Sequence, residues 1–278
     1  MNKFLSVNGV NITYWEQGQG EPVLFVHGAV GDHRSWELQR HSIAEPYRYI
    51  AFSQRYFGTE PWPDNGSEFS AATHSADLAA LIRGLGVGPV HLVGWSYGGA
   101  VALLLAVHHP ELIRSLFLFE PTLGSAVSDP ADAALLAQDR KEMFAPAAAA
   151  VKAGDTAAAV KLLIDGVTDR VGTFDDFGPE MRAVLIENAH ILPLMFAAAP
   201  PPPISCAQLA EIKVPVAIVV GECTRPFYRI LADTTHRCIA ASRLVIVPQA
   251  RHLWPSQKPS SFNEELLGFL RNIDLHGQ

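Results

Sequence analysis

Short apolar runs recur along the chain at 3–7, 10–17, 22–27, 47–53, 89–94, 113–120, 214–221 and 243–247. Several are continuously apolar rather than alternating, as in Val23-Leu24-Phe25-Val26. A strand with no polar side is buried on both faces, so these runs predict eight strands of a mostly parallel sheet covered by helices. The first two flank Asn8-Gly9, a pair that accepts positive φ at both positions and predicts a hairpin. Residues 71–85 and 98–108 carry apolar side chains at three- and four-residue spacing and predict helices. The alternation stops between 121 and 212, where the chain is alanine-rich without a strand pattern. Helix starts stand there at Asp129-Pro130, Gly154-Asp155 and Gly178-Pro179, because Asp satisfies an orphan donor and Pro lacks one. The expected organisation is a core of residues 1–120 and 213–278, with a helical insertion over 121–212 that ends in the rigid prolines 200–203.

Composition narrows what such a chain can do. At 278 residues and 49% hydrophobic it is long enough to bury a core without staples. The formal charge of −7, with no Lys/Arg cluster, disfavours a nucleic-acid groove or an anionic membrane surface as partner. Residues 1–9 carry one positive charge and no long apolar stretch, so no signal peptide is expected. The uncharged stretch 191–205 is broken by Pro193 and the prolines 200–203, which no membrane helix would carry. Cys206, Cys223 and Cys238 are far apart without a CxxC; they read as reduced thiols, and the expected localisation is cytoplasmic.

Candidate chemistry concentrates where the fifth run meets the second helix, at Gly94-Trp95-Ser96-Tyr97-Gly98. A serine between glycines, with a strand before and a helix after, fits a sharp turn that exposes the hydroxyl at the carboxyl edge of the sheet. The plain alternative is a helix-capping serine. A hydroxyl is a weak nucleophile at neutral pH and needs a base within hydrogen-bond reach. Of the histidines, His108 and His109 close a helix and His33 and His41 lie near the first helix; no metal-ligand spacing exists among them. His252 sits in a loop after the last run and is the candidate base, the alternative being a surface-loop histidine.

These segments resemble the α/β-hydrolase superfamily over nearly the whole chain. His27-Gly28-Ala29 resembles its oxyanion loop, Gly94 to Gly98 its nucleophile elbow, and Gln249-Ala250-Arg251-His252 the loop that delivers its histidine. The 121–212 insertion sits where the family carries a helical cap. The resemblance implies main-chain oxyanion donors at Ala29 and Tyr97, with His27 ordering the loop. Two departures stand out. Ser53-Gln54-Arg55-Tyr56-Phe57-Gly58 replaces an Asp-x-Arg-Gly-x-Gly turn at Ser53 and Tyr56, which is expected to alter the pocket wall. Where many members place the acid in G-x-x-D, this chain reads Gly221-Glu222-Cys223-Thr224, and Thr224 cannot serve. Strand six instead ends in Glu120, and zearalenone lactonase is similar in having a glutamate there. Glu120 is the favoured acid, with Glu222, or no functional acid, left open.

Aromatic residues near that edge, Trp36, Phe57, Trp95 and Trp254 with Phe144 and Phe196 of the insertion, are expected to line an apolar substrate pocket. Basic residues of the insertion, Arg140 among them, are scattered, which disfavours a phosphorylated carrier substrate. The expected activity is therefore cofactor-free and metal-free hydrolysis of a small to medium apolar carboxylic ester or lactone through Ser96, His252 and Glu120. Carbon–carbon bond hydrolysis by the same triad, or ligand reception without catalysis, are the alternatives. Epoxide and haloalkane chemistry would need a carboxylate where Ser96 stands.

Overall fold

A computed structural model describes residues 2–276. Eight strands form one sheet: β1 (Lys3–Val7), β2 (Val10–Gln17), β3 (Pro22–Val26), β4 (Arg48–Phe52), β5 (Val90–Trp95), β6 (Ile113–Phe119), β7 (Val216–Gly221) and β8 (Ser242–Val247). Their spatial order is β1-β2-β4-β3-β5-β6-β7-β8. The β1–β2 and β2–β4 pairs are antiparallel and every other pair is parallel. The hairpin turns at Asn8 and Gly9 with φ of 45° and 79°. Strands β3 and β5 are buried along their whole length, as their uninterrupted apolarity requires.

The helices are α1 (Glu37–Ala44), α2 (Ala71–Leu85), α3 (Tyr97–His108), α4 (Pro130–Lys152), α5 (Thr156–Thr168), α6 (Pro179–Glu187), α7 (Ile191–Ala197), α8 (Cys206–Leu209), α9 (Pro226–Cys238), α10 (Trp254–Gln257) and α11 (Pro259–His276). Apolar side chains pack on both faces of the sheet. One face buries Leu24, Leu92 and Leu116 against α2 and α3; the other buries Phe25, Phe117 and Val219 against α11 and α9. Among the described residues, 121–212 holds helices and no strand. The side chains of Asp129 and Asp155 accept from backbone N–H groups at the starts of α4 and α5, and Pro179 opens α6.

One expectation fails. Cys206 of α8 and Cys238 of α9 are joined by a disulfide across 32 residues, and only Cys223 is a free, exposed thiol. Their separation in sequence concealed a pair that the packing of α8 on α9 brings together, and the cysteine argument for a reducing compartment falls with it. Among the described residues no helix is long and apolar enough to cross a membrane.

Candidate active site

The carboxyl edge of the sheet is where backbone strain collects. Ser96 stands between β5 and α3 at φ 55°, ψ −117°, and non-glycine residues at positive φ recur nearby at Val30 (50°), Glu120 (46°) and Gln249 (55°). Each such conformation costs on the order of 1–3 kcal/mol and persists only where surrounding structure enforces it. Here the glycines enforce it: a Cβ on Gly98 would lie 2.3 Å from the Val26 carbonyl oxygen, and one on Gly94 would lie 2.8 Å from Gly99 Cα. Strand and helix therefore close on the turn from both sides. Hydrogen bonds hold it there, from Ser96 N–H to Phe119 O (3.0 Å) and from Thr122 N–H to Ser96 O (3.2 Å).

Ser96, His252 and Glu120 form one hydrogen-bonded chain. His252 Nε2 lies 3.0 Å from Ser96 Oγ, and Nδ1 lies 2.5 Å from Glu120 Oε2. A carboxylate oxygen accepts, so Nδ1 carries the ring proton and Nε2 is free to accept from the serine hydroxyl. The second Glu120 oxygen accepts from Gly221 N–H at 2.9 Å, which fixes the carboxylate plane. All three residues are buried. Tyr228 of α9 stacks on the imidazole with centroids 3.9 Å apart and planes 14° from parallel. Trp95 Nε1 donates to the His252 carbonyl at 3.0 Å, locking the loop beneath the ring. Glu222 is exposed, and its carboxylate accepts from Gln249 N–H at 2.9 Å. It shapes the loop that carries His252 without touching the ring.

The oxyanion candidates flank the serine. Tyr97 is the first residue of α3, where an N–H has no intrahelical acceptor, and Ala29 lies on the loop after β3; both line the cavity. His27 orders that loop. Its Nε2 accepts from Gln54 N–H at 3.0 Å, so Nδ1 donates to Gly28 O at 2.8 Å. Burial pushes its pKa down to about 4. His74, buried beneath Tyr97, takes the Tyr97 hydroxyl on Nδ1 at 2.7 Å while Nε2 faces the Arg55 carbonyl at 3.1 Å.

The cavity over Ser96 holds about 480 Å³ and is walled by the core and by the 121–212 insertion together. Of the aromatics expected to line it, Trp95 and Phe144 do. Trp36, Phe57 and Trp254 are instead fully buried packing residues: Trp36 lies against Phe25, Phe57 against Phe69, and Trp254 against Phe262. Phe196 stands behind the wall, edge-on to Phe144. Phe69, Phe177, Phe227 and Tyr228 supply the remaining aromatic wall. Sequence reasoning missed Phe227 and Tyr228, although Arg225-Pro226 carries the same proline helix-start signal used elsewhere in the chain. Ser53 and Tyr56 do not shape the wall either. Ser53 Oγ bonds His33 Nδ1 at 2.7 Å, the Tyr56 hydroxyl donates to Asp64 at 3.1 Å, and the Arg55 between them forms a buried pair with Asp77. Among the described residues, no group of three or more His, Cys, Asp or Glu side chains is placed to hold a metal ion.

A sequence model of the α/β hydrolase fold matches residues 21–163, and the chain belongs to that family. Over 111 residues it is 37% identical to a Mycobacterium tuberculosis protein assigned by name only as a non-heme bromoperoxidase, a stretch covering 39% of this chain and 41% of that one. The chain thus spans about two fifths of the length of these first curated relatives. It is also 26% identical, over 96% of its length and 97% of the relative's, to a Bacillus subtilis protein assigned by name as a 2-succinyl-6-hydroxy-2,4-cyclohexadiene-1-carboxylate synthase. Among solved structures it is similar to Est816, described as an N-acyl homoserine lactone degrading enzyme (TM-score 0.74, 24% identity, 96% of this chain and 100% of that one). A thermophilic esterase from Thermogutta terrifontis is comparably similar (TM-score 0.73, 21% identity, 98% and 99%). At these identities the solved structures speak for the fold alone.

Proposed function

We propose that this chain is a cofactor-independent serine hydrolase of a carboxylic ester or lactone, with the 121–212 insertion serving as its cap. The observation that carries the reading is the buried relay from Ser96 Oγ through His252 to Glu120, at 3.0 and 2.5 Å. Ser96 Oγ attacks the carbonyl carbon as its proton passes to His252 Nε2. The tetrahedral oxygen takes the N–H groups of Tyr97 and Ala29, assisted by the positive end of α3. His252 returns the proton to the leaving oxygen, releasing an alcohol or, from a lactone, opening the ring. Water, deprotonated by the same nitrogen, then clears the acyl-enzyme. Glu120 holds the tautomer that each step needs and offsets the imidazolium charge.

The receptor alternative arose from Thr224, which stands where many members carry the acid; Glu120, 2.5 Å from His252 Nδ1, supports the enzyme reading over it. Labelling with a fluorophosphonate tests the proposal. Stoichiometric modification of Ser96 is expected, together with loss of p-nitrophenyl acetate turnover in Ser96→Ala. Retention of more than a few per cent of wild-type turnover would place the nucleophile elsewhere.

A further inference from the structure

The cavity wall is apolar or hydroxyl-bearing almost throughout, and its one side chain of fixed charge is Arg140 on α4. Leu136, Arg140 and Phe144 succeed one another at four-residue intervals, so a single helix face presents all three to the cavity. An exposed helical arginine ordinarily finds a carboxylate three or four positions away. Here those positions are Leu136, Ala137, Met143 and Phe144. The acidic neighbours point elsewhere. Asp139 accepts from Arg225 Nε at 3.0 Å and from Phe227 N–H at 2.9 Å, and Glu142 accepts from Gln138 and lies 3.7 Å from Arg225. No carboxylate of the described residues is paired with the Arg140 guanidinium. Asp139, anchored on one side of α4, thus sets the helix rotation that turns Arg140 toward the cavity.

We propose that Arg140 is a subsite for a carboxylate on the substrate, so that the substrate class is an ester or lactone bearing an anionic group remote from its reacting carbonyl. This rests on the reading of Ser96 as the nucleophile. A planar guanidinium receives a carboxylate through two parallel N–H donors, and Leu136 and Phe144 on the same helix face offer apolar surface to the connecting chain. The expected substrate has an apolar middle, an acyl carbonyl at Ser96 and its charge at α4.

The test compares ethyl hexanoate with monoethyl adipate, and ethyl octanoate with monoethyl suberate, at neutral pH. Within each pair the acyl chains match and differ only in a terminal methyl or carboxylate. For the pair whose length spans the cavity, Arg140→Gln should lower the ratio of kcat/KM for the charged over the neutral ester by about 10- to 100-fold, carried by KM. Arg140→Lys should recover part of it. An unchanged ratio in both pairs overturns the proposal. If wild-type protein hydrolyses none of the four esters, calorimetric binding to Ser96→Ala separates the two readings. Carboxylate-dependent affinity lost in Ser96→Ala/Arg140→Gln supports the subsite while the hydrolase assignment fails; equal affinities overturn the subsite.

Discussion

Glutamate in place of the more frequent aspartate decides the residue scale. Glu120 directly follows β6, beside β5, and its longer side chain spans from there to His252 while still reaching Gly221 N–H. Glu120→Gln should keep this packing yet lower kcat by about three to four orders of magnitude, because an amide can present its NH2 to Nδ1 and favour the wrong tautomer. Glu222→Gln should stay within a few-fold of wild type, since an amide oxygen can still accept from Gln249 N–H. Steady-state kinetics of the two variants on one ester make the comparison, and a large loss in Glu222→Gln with a silent Glu120→Gln would reverse the assignment. Ser96 and His252, which the structure brings within hydrogen-bond distance, are legible as candidates because their signals are local, a glycine-bounded turn and a loop after a strand. Glu120 was harder: a strand-end carboxylate looks the same in sequence whether it faces a histidine or solvent. Trp36, Phe57 and Trp254 show the opposite error, as nearness to an edge in sequence does not say which way a ring points.

At the scale of elements, the strands read well because burial on both faces leaves an unbroken apolar signature. The observed ends differ from the apolar runs by one or two residues; the seventh strand, for instance, begins at Val216. What could not be read was how the insertion is fastened. Arg225 at the start of α9 pairs with the buried Asp139 of α4 and reaches Asp169 at 2.8 Å. Removing one partner of a buried pair leaves the other charge stranded, at a cost of about 3–5 kcal/mol. Arg225→Ala should therefore lower Tm by roughly 6–20 °C in a thermal melt. A loss no larger than that of an ordinary surface substitution would show that the pair holds nothing.

Two properties belong to the whole molecule. Burial lowers the pKa of His27, His33 and His91 to about 4 and of His74 to about 3. Each is neutral when folded but takes up a proton near its ordinary value when unfolded, so the unfolded chain binds more protons below about pH 6.5. Their contribution is complete above that pH and is lost as pH falls toward about 4, by at most about 1.4 kcal/mol per pH unit per histidine. Denaturation midpoints should drop steeply from pH 7 to pH 5, and His91→Gln should flatten the slope; a midpoint constant over that range would contradict the buried neutral state. The disulfide offers a second check. Denatured, unreduced protein should show one titratable thiol, Cys223, and three after reduction. Cys206→Ser/Cys238→Ser should cost about 2–4 kcal/mol of stability.

The insertion is tied down on opposite sides of β5. Asn188, between α6 and α7, donates to Asp32 at 2.8 Å and accepts from Gly58 N–H at 2.7 Å, on the β3–β4 side of β5. Arg225 grips α4 from the β7 side. A door needs one free edge, and this one is bolted along both jambs. Under the proposed hydrolase reading, substrate is expected to enter by side chains parting where Ala199, Pro200 and Pro201 face the cavity. Turnover would then be gated by fast local yielding at that rim rather than by slow domain closure, and its rate would respond weakly to solvent viscosity.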